Sequence, residues 1–195
     1  MVQESAALIF QTKYYMGMPS IGEITVIGNA VRERYLHEGL ITALAVGGFF
    51  IILGLAFALT PGIYQATNNF FNDITTTTYH FGSSAAYLPA PAHPADHTIF
   101  YNAVITFFAG AGILEIVILA LRLALHSPVR RIGQKVGDLV FWLGAAVVEN
   151  VFLLTGTLTG WWQFWSGLIV VVGVSLIARF LVYLTKRFTM PVKQP

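Results

Sequence analysis

The sequence predicts an all-α integral membrane protein. It reads as a four-helix transmembrane bundle, N-in and C-in, with an amphipathic N-terminal helix and a long outer loop between the first two spans. Three observations predict this. The 195 residues are 56% hydrophobic and only 10% charged, whereas an ordinary soluble domain carries roughly 25% charged residues. Four apolar runs are each long enough, at ~1.5 Å rise per helical residue, to cross most or all of a hydrocarbon core of ~30 Å. Lys and Arg are confined to the segments that one side of a membrane would hold.

Residues 1–38 form the cytoplasmic, interfacial segment. Ser20 follows Pro19, and Glu23 comes three residues later. This is the pairing with which a hydroxyl and a carboxylate satisfy free N–H groups at a helix start. Ile24, Ile27, Val31 and Tyr35 recur at helical spacing while Glu23, Arg32, Glu33 and Arg34 lie elsewhere on the wheel. An amphipathic helix is therefore expected over 20–37, lying on the membrane surface or packed on a neighbouring protein. The apolar patch 6–10 is too short for a signal-peptide core, so the first span is expected to act as the insertion signal.

That span covers 40–60 and stops at Pro61-Gly62. Ala43, Gly47, Gly54 and Ala58 form a small-residue stripe along it, and such a stripe lets a second helix approach closely. Packing within the chain is favoured over a homodimer seam. Residues 61–98 hold Thr75 to Thr78, several Pro and a Gly-Ser-Ser. They are expected to be an extracytoplasmic loop with a short helix near 65–73. The second span lies within 99–125. A basic turn, 126–135, leads to the third span at 136–154. A tight outer loop, 155–160, leads to the fourth at 164–184. The transmembrane domain thus covers 39–186, and 187–195 is a cytoplasmic tail.

Sidedness follows from the 11 Lys and Arg residues. Lys13, Arg32 and Arg34 precede the first span. Arg130, Arg131 and Lys135 lie in the central turn, and Lys186, Arg187 and Lys193 in the tail. Arg122 and Arg179 sit near the same helix ends, and neither 61–98 nor 155–160 has any. By the positive-inside rule these cationic ends are cytoplasmic, in a multi-pass protein of the cell membrane. Trp161, Trp162 and Trp165 suit an aromatic belt at the outer interface, and Trp142 lies toward the inner one.

Several chemistries are excluded. A net charge of +2 with no basic groove gives no support for nucleic acid as a partner. The absence of cysteine removes disulfides, thiol catalysis and iron–sulfur ligation. There is no phosphate-binding loop, dinucleotide fingerprint or His-Glu-x-x-His motif, so no enzyme is expected and no cofactor beyond lipid.

The polar residues inside the spans are Glu115, Arg122, Asp138, Glu149 and Arg179. Each costs at least ~2.5–3.5 kcal/mol near the bilayer centre unless it finds a partner or water. Depth predicts that Arg179 pairs with Glu115, with Arg122 on the same face as Glu115. That inner patch is either an ion path or an ion pair that fixes helix register. Glu149, beside Asn150, is expected near mid-bilayer with no base at its depth. It lines a cation or proton pathway if several subunits bring it together; otherwise it is a neutral acid bonded to a neighbour such as Thr106. In the outer loop His93, Asp96 and His97 are candidate metal ligands, although Pro94 keeps His93 out of any helix.

Two functions fit these features. One is a homo-oligomeric, channel-like protein conducting protons or cations past intramembrane carboxylates. The other is a non-catalytic accessory subunit of a larger membrane complex, respiratory or otherwise.

Overall fold

A computed structural model describes residues 21–189, and the side chains of 38–185 apart from Phe81. The cap at Ser20, the amphipathic face through Tyr35 and the tail cations lie outside those described side chains. The order of elements is α1 (Ile21–Ala58), α2 (Ile63–Asn72), β1 (Ile74–Phe81), β2 (Ser84–Pro91), a 3-10 turn (Pro94–His97), α3 (Thr98–Ala124), α4 (Val129–Phe152), a second 3-10 turn (Leu153–Thr155) and α5 (Leu158–Thr189). The chain divides into two compact units, 1–43 and 44–195. The described part of the first unit is helical throughout. The second unit holds the hairpin, the remainder of α1 and all of α3, α4 and α5.

Among the described residues, four helices are long and apolar enough to cross a membrane: Glu38–Ala58, Pro94–Ala124, Val129–Thr155 and Leu158–Thr185. This agrees with the predicted membrane bundle and extends it. The third span begins seven residues before the predicted 136, because Pro128 precedes α4 as its N-cap and the basic turn winds into helix. The fourth begins six residues before 164, because Gly156, at φ +62°, reverses the chain at once.

The outer loop departs most from expectation. A two-stranded antiparallel hairpin pairs Ile74 with Pro91 through to Phe81 with Ser84, so the protein is not purely α. The run Thr75 to Thr78 is a β-branched strand, and Gly82 at φ +60° supplies the left-handed residue of the turn. The expected short helix is α2.

The helices pack antiparallel through glycines. A methyl at Gly144 of α4 would meet Val171 of α5 at 2.8 Å, one at Gly167 would meet Val148 at 2.7 Å, and one at Gly133 would meet Tyr183 at 2.6 Å. Gly112 of α3 faces Leu143 of α4 in the same way. Close backbone approach through small residues is the usual basis of helix association in lipid. The first span meets α3 through Leu114 at Gly48 and Ile52 at Gly110, with Phe49 edge-on to Phe107 at 5.4 Å. Its small-residue stripe is not that contact. Gly47 and Gly54 have nothing within 4 Å of an added methyl, and Ala43, Gly47, Gly54 and Ala58 are all exposed. The expected intrachain use of the stripe is therefore wrong. The chain packs through Gly48, one residue away and about 100° around the helix.

Candidate functional site

Buried polar groups collect at the two ends of the α3–α4–α5 bundle. At the cationic end Lys135 Nζ donates to Glu115 Oε1 at 3.0 Å and to Asp138 Oδ2 at 3.1 Å. Arg179 Nη2 donates to Asp138 Oδ1 at 3.2 Å. The local sequence explains this geometry. Lys135 and Asp138 are three apart and share one face of α4. Gly137 between them has no side chain, and a methyl there would meet the Ser175 carbonyl oxygen at 3.0 Å and Arg179 Nε at 3.1 Å. Arg122, in the last turn of α3, is buried at the same end. The expected Arg179–Glu115 pair is thus replaced. Lys135 takes Glu115, and Arg179 takes Asp138, because helical winding from Val129 carries Lys135 into the bundle.

At the other end Asp73 closes the base of the hairpin. Its carboxylate accepts the His93 ring N–H at Nδ1, the His93 backbone N–H and the His97 ring N–H at Nε2, each at 2.8 Å. An ionised carboxylate only accepts, which fixes these ring nitrogens as donors. The hydrogen bond from His97, followed by those from His93, holds the Asp73 carboxyl well below the usual carboxylate range. The bond to Asp73 in turn raises His93 above the ordinary imidazole value. His97 is 4% exposed and stands perpendicular to Phe70 at 5.3 Å. Phe70 itself stacks on Phe100 at 4.3 Å. Asp73 is not among the candidates that spacing in the sequence offers. It lies 20 residues upstream of His93, and only the hairpin brings the two together.

One turn beyond His97 is Tyr101, whose ring lies 6.3 Å from the His97 ring. Tyr101 and Glu149 are each 1% exposed, and Tyr101 Oη and Glu149 Oε2 have no hydrogen-bond partner among the described residues. Glu149 lies six residues from the C-terminal end of the 27-residue span Val129–Thr155. It stands in the last turn of α4, where its carbonyl accepts the Leu153 N–H. Thr106 does not reach it, since its hydroxyl donates to the Asn102 carbonyl of its own helix at 2.8 Å. Asn150 is exposed and faces away.

Glu149 is buried within its own bundle, so a path lined by it would run through one chain and not between several. Asp138 and Glu149 stand eleven residues apart on α4, about 16 Å of helix. Ala145 and Ala146 fill that interval from α4, with Ala111 and Gly112 from α3, and all four are buried. The metal-ligand set does not converge either. His93 and His97 turn to Asp73 and not to Asp96. No group of three or more His, Asp or Glu among the described residues could hold a metal ion.

Compared with known protein families, with curated proteins and with solved structures, the chain matches none.

Proposed function

We propose that the chain is a non-catalytic, multi-pass membrane subunit, with its cationic ends cytoplasmic, that assembles with other membrane-spanning chains through the first span. The observation that carries this is the open stripe of Ala43, Gly47, Gly54 and Ala58. These positions are exposed, while Gly112, Gly133, Gly144 and Gly167 of the other helices are filled by their neighbours. In lipid, small residues at helical spacing favour close helix pairing. The polar groups support the same reading, because Lys135 and Arg179 pair with Glu115 and Asp138, and buried alanine and glycine lie between that cluster and Glu149.

Native mass measurement of the detergent-purified protein tests this. A Gly54→Leu variant, at a position where an added methyl meets nothing within 4 Å among the described residues, is expected to fold and to lose its partners or copies. Assembly that survives Gly47→Leu and Gly54→Leu together sinks the proposal.

A second reading, proton conduction within one chain, is favoured by Tyr101 Oη and Glu149 Oε2, two of the five buried side-chain atoms without a hydrogen-bond partner among the described residues. It requires water to cross the alanine layer. Proton flux into liposomes that is unchanged in Glu149→Gln removes it.

A further inference from the structure

The β-hairpin and the start of α5 enclose a cleft of about 400 Å³, within the roughly 300–1,000 Å³ range of small-molecule sites. Leu88 and Tyr79 form its hairpin wall; Trp162, Trp165 and Ile169 form its helix wall. The Tyr79 and Trp162 rings meet at 5.0 Å. Trp161 pins the two walls together, its indole N–H donating to the Pro89 carbonyl at 3.3 Å. No charged side chain lines the cleft. The Ser166 hydroxyl is turned back to the Trp162 carbonyl at 3.1 Å.

The cleft is not sealed. It runs onto the outward face of α5, where Trp165 is 47% and Ile169 is 74% exposed, and that face continues through Val172 and Leu176, which are exposed at helical spacing. Ile169 lies eight residues beyond Trp161, about 12 Å further along the helix. The long axis of the cleft therefore follows the span, from the aromatic belt into the hydrocarbon layer.

We propose that this cleft binds the hydrocarbon tail of a single membrane lipid. Three features select a tail. The walls are apolar and aromatic. The mouth is continuous with the face that a spanning α5 turns to lipid. No Lys or Arg occurs in 61–98 or 155–178 to hold a phosphate, so the site reads the chain and ignores the headgroup. The proposal rests on the membrane-spanning reading but not on assembly through α1.

The tryptophans are the reporters. In a Trp142→Phe background, every remaining tryptophan lines the cleft. Phosphatidylcholine brominated on its chains, added to the protein in dodecyl maltoside, is expected to remove most of the emission and to saturate at one lipid per chain. Brominated phosphatidylglycerol is expected to do the same at the same concentration. Excess unbrominated lipid restores the emission, and Ser166→Phe, which fills the cleft from the helix wall, abolishes the quenching. Quenching that rises without saturation, or that persists undiminished in a folded Ser166→Phe variant, overturns the proposal. So does a strong preference for the anionic lipid. Absence of quenching, with a second chain found by native mass on the same face, assigns the cleft to a protein partner and overturns it too. If Ser166→Phe fails to fold, the competition by unbrominated lipid decides alone.

Discussion

At the cationic end of the bundle Lys135 sits between two carboxylates, Glu115 and Asp138; at the aromatic end Asp73 sits between two imidazoles, His93 and His97. The first centre ties α3, α4 and α5 to one another with ammonium, guanidinium and carboxylate groups. The second ties a hairpin to the bundle through histidine, the side chain whose ordinary pKa lies near neutrality. The difference separates two tasks. A cluster of two bases and two acids links α3, α4 and α5 to one another. A cluster of one acid and two imidazoles joins the base of the hairpin to the segment ahead of α3, and the raised pKa of His93 gives that attachment an expected pH dependence.

The largest expected effect comes from removing the hub of the first centre. Lys135→Met leaves Glu115 buried without its donor, and breaking a buried pair in this way costs about 3–5 kcal/mol. Unfolding in mixed detergent should show a loss of that order, with part of it recovered when Glu115→Gln is added. A loss below about 1 kcal/mol, typical of exposed pairs, would erase the contrast.

His97→Ala comes next. It removes a buried hydrogen bond to a charged group, about 2 kcal/mol, and the effect should be local. Hydrogen exchange should quicken in 74–91 while α4 and α5 stay protected. Uniform quickening would mean that the clamp also supports the bundle.

The pH dependence is smaller and has a definite sign. Asp73 has a lowered folded pKa, so its contribution is present above the ordinary 3.8 and fades as pH falls toward the folded value. His93 has a raised folded pKa, so its contribution is complete below the ordinary 6.5 and fades as pH rises through the folded value. Protection of the hairpin should therefore be greatest between pH 3.8 and 6.5. A hairpin whose protection is flat from about pH 5 to about pH 8, the range in which histidine changes charge, would remove the distinction. The smallest effect is that of Thr106→Ala, within about 0.5 kcal/mol, since Thr106 bonds only its own helix and does not serve Glu149.

Much of the fold is legible because the bilayer imposes length and apolarity on anything that crosses it. All four predicted spans coincide with helices. Their edges are not legible, because Pro128 and Gly156 set them and hydropathy does not. The hairpin escapes a reading by composition, which takes Thr75 to Thr78 for polar loop although β-branching at four consecutive positions favours a strand. At the cationic end the participants are nearly all visible. The pairing fails over Lys135, which reads as part of a turn although it lies three residues from Asp138 on a common face. At the aromatic end His93 and His97 read most simply against their sequence neighbour Asp96. A partner delivered by a hairpin has no signature in local spacing. The same limit applies to the stripe on the first span: small residues at helical intervals announce a contact without saying whether Gly47 or Gly48 receives it.

The lack of any Lys or Arg between Arg34 and Arg122, and between Lys135 and Arg179, has a practical consequence for anyone handling the protein. Trypsin has no cleavage site in the hairpin, in the cleft wall or in the α4–α5 turn. Every bond it can cut lies at or before Arg34, within 122–135, or at or beyond Arg179. If the proposed sidedness holds, a single protease added to sealed vesicles of known polarity is expected to leave the chain whole from one side and to sever it from the other.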